Sequence, residues 1–140
     1  MENEHPLIVI VDDDFDALEW CRLILEAAGF RTACFQSGDA AYAAMREERP
    51  ALVISDLMMA NLDSGFDFAR AIKEDAAFST MPVIIMTAAS SRHGFDFAPK
   101  SEEDLAAMHV DAYFSKPADP QELVARVREL IVKHTPKKSR

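Results

Sequence analysis

The stretch Leu7-Ile8-Val9-Ile10-Val11-Asp12-Asp13-Asp14 decides how this chain is read. Five aliphatic residues run without polar alternation, four of them β-branched, as in a strand covered on both faces. Three acids then end the run and supply a start signal for a helix, with Asp14 placed to cap it. A doubly covered strand needs neighbours, and the same pattern recurs along the chain.

Four more short apolar runs stand at Thr32–Phe35, Leu52–Ser55, Val83–Met86 and Ala112–Ser115. Segments of helical period alternate with them, which predicts a parallel sheet with helices on both faces. Phe15–Ala28 carries Leu18, Cys21, Leu25 and Ala28 on one stripe, with Gly29 as its stop. Ser37 caps a second helix running through Arg46, and a third covers Phe66–Lys73. A shorter fourth follows the capping-box-like Ser101-Glu102-Glu103-Asp104. A fifth starts at Asp119-Pro120-Gln121-Glu122, with a cap, a proline at the first helical position and an early acid. Gly-Phe-Asp-Phe-Ala occurs twice, at 65–69 and 94–98, but the flanks differ and Pro99 stops the second copy, so the recurrence reads as coincidence.

In open parallel sheets ligands bind beyond the carboxyl ends of the strands, so the polar residues at those ends carry the functional reading. They are Asp12-Asp13-Asp14 after the first strand, Asp56 after the third, Thr87 after the fourth and Lys116-Pro117 after the fifth. Singly, each has an ordinary explanation as a cap, a loop acid or a solvated lysine. Together they fall on four strand ends of one edge. Clustered carboxylates repel and are relieved by protonation or a cation. Oxygen donors without His or Cys suit a hard ion, Mg²⁺ or alternatively Mn²⁺. A lysine and a hydroxyl opposite the ion fit phosphoryl transfer, with one aspartate as nucleophile.

With these residues in view, the sequence resembles the receiver domains of two-component response regulators. The resemblance rests on Ile8-Val9-Ile10-Val11-Asp12-Asp13, Leu52-Val53-Ile54-Ser55-Asp56-Leu57-Met58-Met59, Pro82-Val83-Ile84-Ile85-Met86-Thr87-Ala88 and Tyr113-Phe114-Ser115-Lys116-Pro117. It implies a flavodoxin-like doubly wound (βα)5 fold with strand order 2-1-3-4-5, residues 1–134 forming the domain and the basic tail 135–140 disordered. By position it implies Asp56 as phosphoacceptor, Asp12, Asp13, Asp56 and the Met58 carbonyl as Mg²⁺ ligands, Thr87 and Lys116 as phosphoryl contacts, and Thr87 with Tyr113 as the switch pair. The implied partners are a histidine kinase or histidine phosphotransfer protein and a protein output target, with room for a homodimer. Such a domain is no enzyme beyond its own phosphorylation and slow self-dephosphorylation.

Departures from the family pattern are local. Ala60 replaces a proline beside Asp56, and one residue is added before Gly65. The interval from Thr87 to Lys116, 116 − 87 = 29 positions, is long for the family and places extra residues in 90–100. Phe95 and Phe97 there read equally as a docking site or as core. Met58 and Ala89 stand where the family tunes water attack and offer no good hydrogen bond, which predicts a long-lived phosphoryl group. A different class, a haloacid-dehalogenase-type phosphatase with Asp12 as nucleophile, leaves Asp56 unexplained and lacks a later acidic pair and a cap insertion. An interaction module that takes up no phosphate is disfavoured because every site position is kept.

Composition agrees with this frame. One hundred and forty residues make one domain at ~100–200 residues each, and 49% apolar content with four glycines excludes disordered and collagen-like classes. A net charge of −9 argues against contact with nucleic acid or anionic membrane. Cys21 and Cys34 match neither a zinc spacing nor a disulfide framework, and together with the acidic N-terminus they suit a cytoplasmic protein. His5, His93, His109 and His134 are scattered and read as surface residues. After Val132 only a short tail remains, so the expected output runs through protein contacts or onward phosphotransfer.

Overall fold

The computed structural model describes residues 5–56, 64–87, 110–115 and 118–134. Strands β1 (Leu7–Val11), β2 (Arg31–Phe35), β3 (Leu52–Asp56), β4 (Val83–Thr87) and β5 (Ala112–Ser115) form one sheet. All four pairings are parallel and the order is β2-β1-β3-β4-β5, as the resemblance implied. Helices α1 (Phe15–Ala27), α2 (Gly38–Glu47), α3 (Ser64–Glu74) and α4 (Pro120–His134) complete the described elements.

The unbroken apolar strands are explained by what covers them. Alternate residues of a strand face opposite sides. Ile8, Ile10, Leu52, Ile54, Ile84 and Met86 pack in one cluster with Leu18, Cys21 and Leu25 of α1 and Leu123, Val127 and Leu130 of α4. Val9, Val11, Val53, Val83 and Ile85 belong to the other, with Ala41 and Met45 of α2 and Phe68, Ala69 and Ile72 of α3. Each fully buried Ile or Leu contributes about 1.5–3 kcal/mol by leaving water, and both faces of the sheet collect that contribution.

Helix ends follow the sequence signals. Asp14 caps α1 by accepting from the Asp16 N–H at 3.0 Å. At its other end Gly29 has φ +100°, its N–H donates to Glu26 O, and the Phe30 N–H donates to Leu25 O. These two bonds form a Schellman turn, whose left-handed residue favours glycine. Ser37 accepts from the Ala40 N–H at 3.2 Å to cap α2, and Asp119 accepts from the Glu122 N–H at 3.0 Å to start α4.

Boundaries shift by a residue or two where polarity hides backbone pairing. β3 takes in Asp56 because that residue pairs with Met86, and β4 takes in Thr87, which pairs with Ser115. β2 begins at Arg31, opposite Leu7. α1 stops at Ala27, while α2 runs on to Glu47 and α3 spans Ser64–Glu74. The helix expected after Ser101, the 90–100 loop, the second Gly-Phe-Asp-Phe-Ala copy and the 135–140 tail lie outside the described residues.

Candidate acidic site at the carboxyl edge of the sheet

Parallel pairing places every strand's carboxyl end on one edge, and strand order reverses across β1 and β3. Asp12 follows β1 and Asp56 closes β3, so the two adjacent central strands deliver their acids to one place. One carboxylate oxygen each from Asp12, Asp13 and Asp56 lie within 4.8 Å of one another. Asp12 is 5% exposed and Asp56 7%, whereas Asp13 is exposed.

The loop carrying Asp12 and Asp13 is held by its backbone. The Asp12 N–H donates to Phe35 O at 3.0 Å, extending the β1–β2 ladder by one rung. Asp12 Oδ1 accepts from the Asp14 N–H at 2.9 Å, and the Gln36 side-chain amide donates to the Asp13 carbonyl at 3.2 Å. Beside Asp56, the Ser55 hydroxyl donates to Asp56 O at 2.9 Å in a buried position. A cavity of about 170 Å³ opens beside the carboxylates, walled by Ala17, Trp20 and Cys21 of α1 and by Ile54, Met86 and Ala118. Its apolar walls lower the local dielectric, which strengthens interactions between charges at its rim.

The donor set fits a small hard cation. All three donors are carboxylate oxygens, the ligand type that Mg²⁺ takes, and they lie within 4.8 Å of one another. The third member of the acidic triplet, Asp14, is used as a helix cap and does not join the group. Thr87 ends β4 one residue beyond Met86, the partner of Asp56. Tyr113, opposite Ile85 in β5, is half-buried against the core on the α2 and α3 side. Met58, Ala89, Phe95, Phe97, Lys116 and Pro117 lie outside the described residues.

Sequence reasoning passed over Gln36, although it stands one residue past the end of β2 on the same carboxyl edge, and the strand-end rule that found Asp56 would have reached it. The cysteines carry no sign of chemistry. Cys21 is buried, and burial pushes the Cys34 thiol up from its ordinary value, the direction that disfavours the reactive thiolate. His5 is exposed and bonds Gly29 O at 2.8 Å.

Fold and site together define a class: a flavodoxin-like α/β domain with a carboxylate cluster competent for a hard cation at its switch point. The response regulator receiver domain family matches residues 8–128, and the chain belongs to that family. DNA-binding response regulator MtrA of Mycobacterium tuberculosis is 35% identical over 128 residues, covering 91% of this chain and 51% of that protein. The phosphate regulon transcriptional regulatory protein PhoB of Pseudomonas aeruginosa is 32% identical over 128 residues, 89% of this chain and 51% of its own. The chain thus spans about half the length of the curated relatives it matches.

Among solved structures, the signal receiver domain of a signal transduction histidine kinase from Syntrophus aciditrophicus superposes with TM-score 0.75 at 26% identity, covering 96% of both chains. Chemotaxis response regulator CheY4 of Vibrio cholerae shares the fold, with TM-score 0.74 at 21% identity over 90% of this chain and 98% of its own. Receiver domains are signalling modules that bind Mg²⁺ at acidic residues, and response regulators work with histidine kinases. Among the described residues no helix is long and apolar enough to cross a membrane.

Proposed function

We propose that this domain takes a phosphoryl group from the phosphohistidine of a histidine kinase or histidine phosphotransfer protein onto Asp56, and that the resulting acyl phosphate changes its protein contacts in the cytoplasm. The observation that carries the reading is the position of Asp56. It is a nearly buried carboxylate at the end of a central strand, with Asp12 and Asp13 oxygens within 4.8 Å. That arrangement also accounts for the residue that the phosphatase reading left idle.

In the transfer, an Asp56 carboxylate oxygen attacks phosphorus in line with the donor nitrogen. The O–P bond forms as the N–P bond breaks, and the imidazole leaves with the electron pair and takes up a proton. Asp12, Asp13, Asp56 and the Met58 carbonyl would hold a Mg²⁺ ion, which would supply charge neutralisation at the phosphoryl oxygens. Lys116 and Thr87 contact the remaining oxygens, which a buried, low-dielectric site makes worth more than in water. Reorientation of Thr87 and Tyr113 carries the change outward. Moving a two-state equilibrium from 1:99 to 99:1 takes ~5.5 kcal/mol, within reach of a doubly charged group held by a metal, an ammonium and a hydroxyl.

The relatives MtrA and PhoB are named as DNA-binding and transcriptional regulators. With a net charge of −9, these 140 residues repel a phosphate backbone, and their output is assigned to protein surfaces.

Intact mass after incubation with Mg²⁺ and a small acyl-phosphate donor tests the reading. The expected result is one phosphoryl adduct that requires Mg²⁺ and is lost in Asp56→Asn. An adduct that survives Asp56→Asn, or turnover of phosphatase substrates that depends on Asp12, overturns it.

A further inference from the structure

We infer that Gln36 is a positioning residue for the metal site: its side-chain amide, donating to the Asp13 carbonyl at 3.2 Å, sets the direction in which the exposed Asp13 carboxylate meets the ion. The inference rests on the reading of Asp12, Asp13 and Asp56 as the cation site.

Three backbone groups define the path from β1 into α1, and each is tied differently. The Asp12 N–H belongs to the sheet through Phe35 O. The Asp14 N–H is held within the loop by Asp12 Oδ1. The Asp13 carbonyl lies on the same peptide unit as the Asp14 N–H, so Asp12 Oδ1 holds that unit at one end and Gln36, from the neighbouring strand end, holds it at the other. Phe35 and Gln36 are consecutive, so one segment past β2 grips the acidic loop twice: Phe35 through its main chain at Asp12 and Gln36 through its side chain at Asp13.

The consequence differs between ions. Asp12 and Asp56 are nearly buried and held by their surroundings, whereas Asp13 is exposed and its aim depends on the loop backbone. Mg²⁺ demands near-octahedral oxygens at about 2.1 Å, whereas Ca²⁺ accepts irregular geometry at about 2.3–2.6 Å. Loss of the Gln36 tether therefore weakens Mg²⁺ binding more than Ca²⁺ binding.

The test is calorimetric titration of the full chain with MgCl₂ and separately with CaCl₂, comparing wild type, Gln36→Leu and Asp13→Asn, with thermal midpoints recorded in EDTA. One exposed hydrogen bond corresponds to about a two- to fivefold change in affinity. Gln36→Leu is expected to raise the Mg²⁺ Kd by that factor and to change the Ca²⁺ Kd by less than half as much, with a small drop in the EDTA midpoint because the bond is made without the ion. An unchanged Mg²⁺ affinity overturns the inference, as does an equal loss for both ions. If wild type binds no Mg²⁺, or Asp13→Asn binds it as tightly as wild type, the cation-site reading itself falls and takes the inference with it.

Discussion

Lys73 Nζ lies 2.8 Å from Asp111 Oδ2, joining the last turn of α3 to the residue that enters β5. The same ammonium donates to Met81 O, and the same carboxylate oxygen accepts from the Val83 N–H, both at 2.8 Å. Asp111 also donates its own N–H to Val83 O. Four segments, α3, the Met81 turn, β4 and the entry to β5, thus meet at the amino ends of the strands, the edge opposite the acidic site.

Both side chains are about four-fifths buried, so removal of one leaves the other's charge without its counter-charge. Asp111→Ala takes the acceptor from the Val83 N–H and leaves the Lys73 ammonium with Met81 O alone, and should cost about 2–3 kcal/mol in urea unfolding. Asp111→Asn keeps an oxygen for Val83 and should cost about 1 kcal/mol. A Lys73→Met, Asp111→Ala cycle should show coupling, because the partners touch. Additive losses would show that the pair contributes nothing as a pair.

Gly29 makes a second stability prediction with a different cause. A Cβ built there meets nothing within 4 Å, so space is not the constraint. Its φ of +100° is the constraint, and Gly29→Ala should lower unfolding free energy by about 1–2 kcal/mol. Gly29→Asn, which tolerates left-handed backbone better, should lose less. Equal losses for the two variants would point away from backbone strain.

The strand runs and the caps Asp14, Ser37 and Asp119 were legible in the sequence because each follows from local chemistry: β-branched runs, strand-end acids, short side chains before an apolar stripe; the sheet order came only with the family resemblance. Convergence of Asp12, Asp13 and Asp56 was legible too, since parallel pairing leaves strand ends no other edge. The Lys73–Asp111 pair, 38 residues apart, was not. Its partners sit at the ends of elements whose rotation about their own axes no spacing rule sets. The place of Gln36 was within reach of the strand-end rule, but its bond was not, because its partner is a carbonyl, which leaves no trace in the residue types. The extra residue of β3 and of β4 was missed because Asp56 and Thr87 continue the ladder through their backbones while breaking the apolar pattern.

Acid should act on the contact between α2 and the turn after α3. The Tyr42 hydroxyl donates to Asp75. That bond, with help from the Ala77 N–H and Arg46, holds the Asp75 carboxyl below its ordinary value of 3.8 against a small opposing effect of burial. A carboxyl depressed in the folded state adds stability above its unfolded pKa and loses it as pH falls through the folded one. Tyr42→Phe should therefore move the Asp75 pKa upward, read by carboxyl-carbon NMR, and flatten the decline of thermal midpoint below about pH 4. An unmoved Asp75 pKa would mean that the Ala77 N–H and Arg46 hold the carboxyl down without the phenol.

The acidic cluster should carry a stability cost in the absence of metal. Carboxylates within 4.8 Å of one another repel, and the exposed member is the one whose removal disturbs packing least. Asp13→Asn should stabilise the metal-free protein by about 1 kcal/mol at low ionic strength, less at physiological salt. The same variant should lose most of the midpoint rise that Mg²⁺ gives wild type, about 1.4 kcal/mol at ten times Kd. Thermal melts in EDTA and in MgCl₂ check both signs. A destabilised metal-free Asp13→Asn would show that its carboxylate is already compensated.

Asp14 separates helix capping from metal binding within one run of three identical residues. Its carboxylate accepts from the Asp16 N–H and stays out of the Asp12, Asp13 and Asp56 group. A negative charge at a helix start is also favoured by the helix dipole. Asp14→Ala should cost about 1 kcal/mol through the lost cap, Asp14→Ser should restore most of it, and both should bind Mg²⁺ and form the phosphoryl adduct like wild type. Asp12→Asn should do the reverse, with Mg²⁺ binding lost and the helix cap intact. If Asp14→Ser forms its adduct only at much higher Mg²⁺ than wild type, the third aspartate contributes charge to the site after all, and the division of labour drawn from the geometry is wrong.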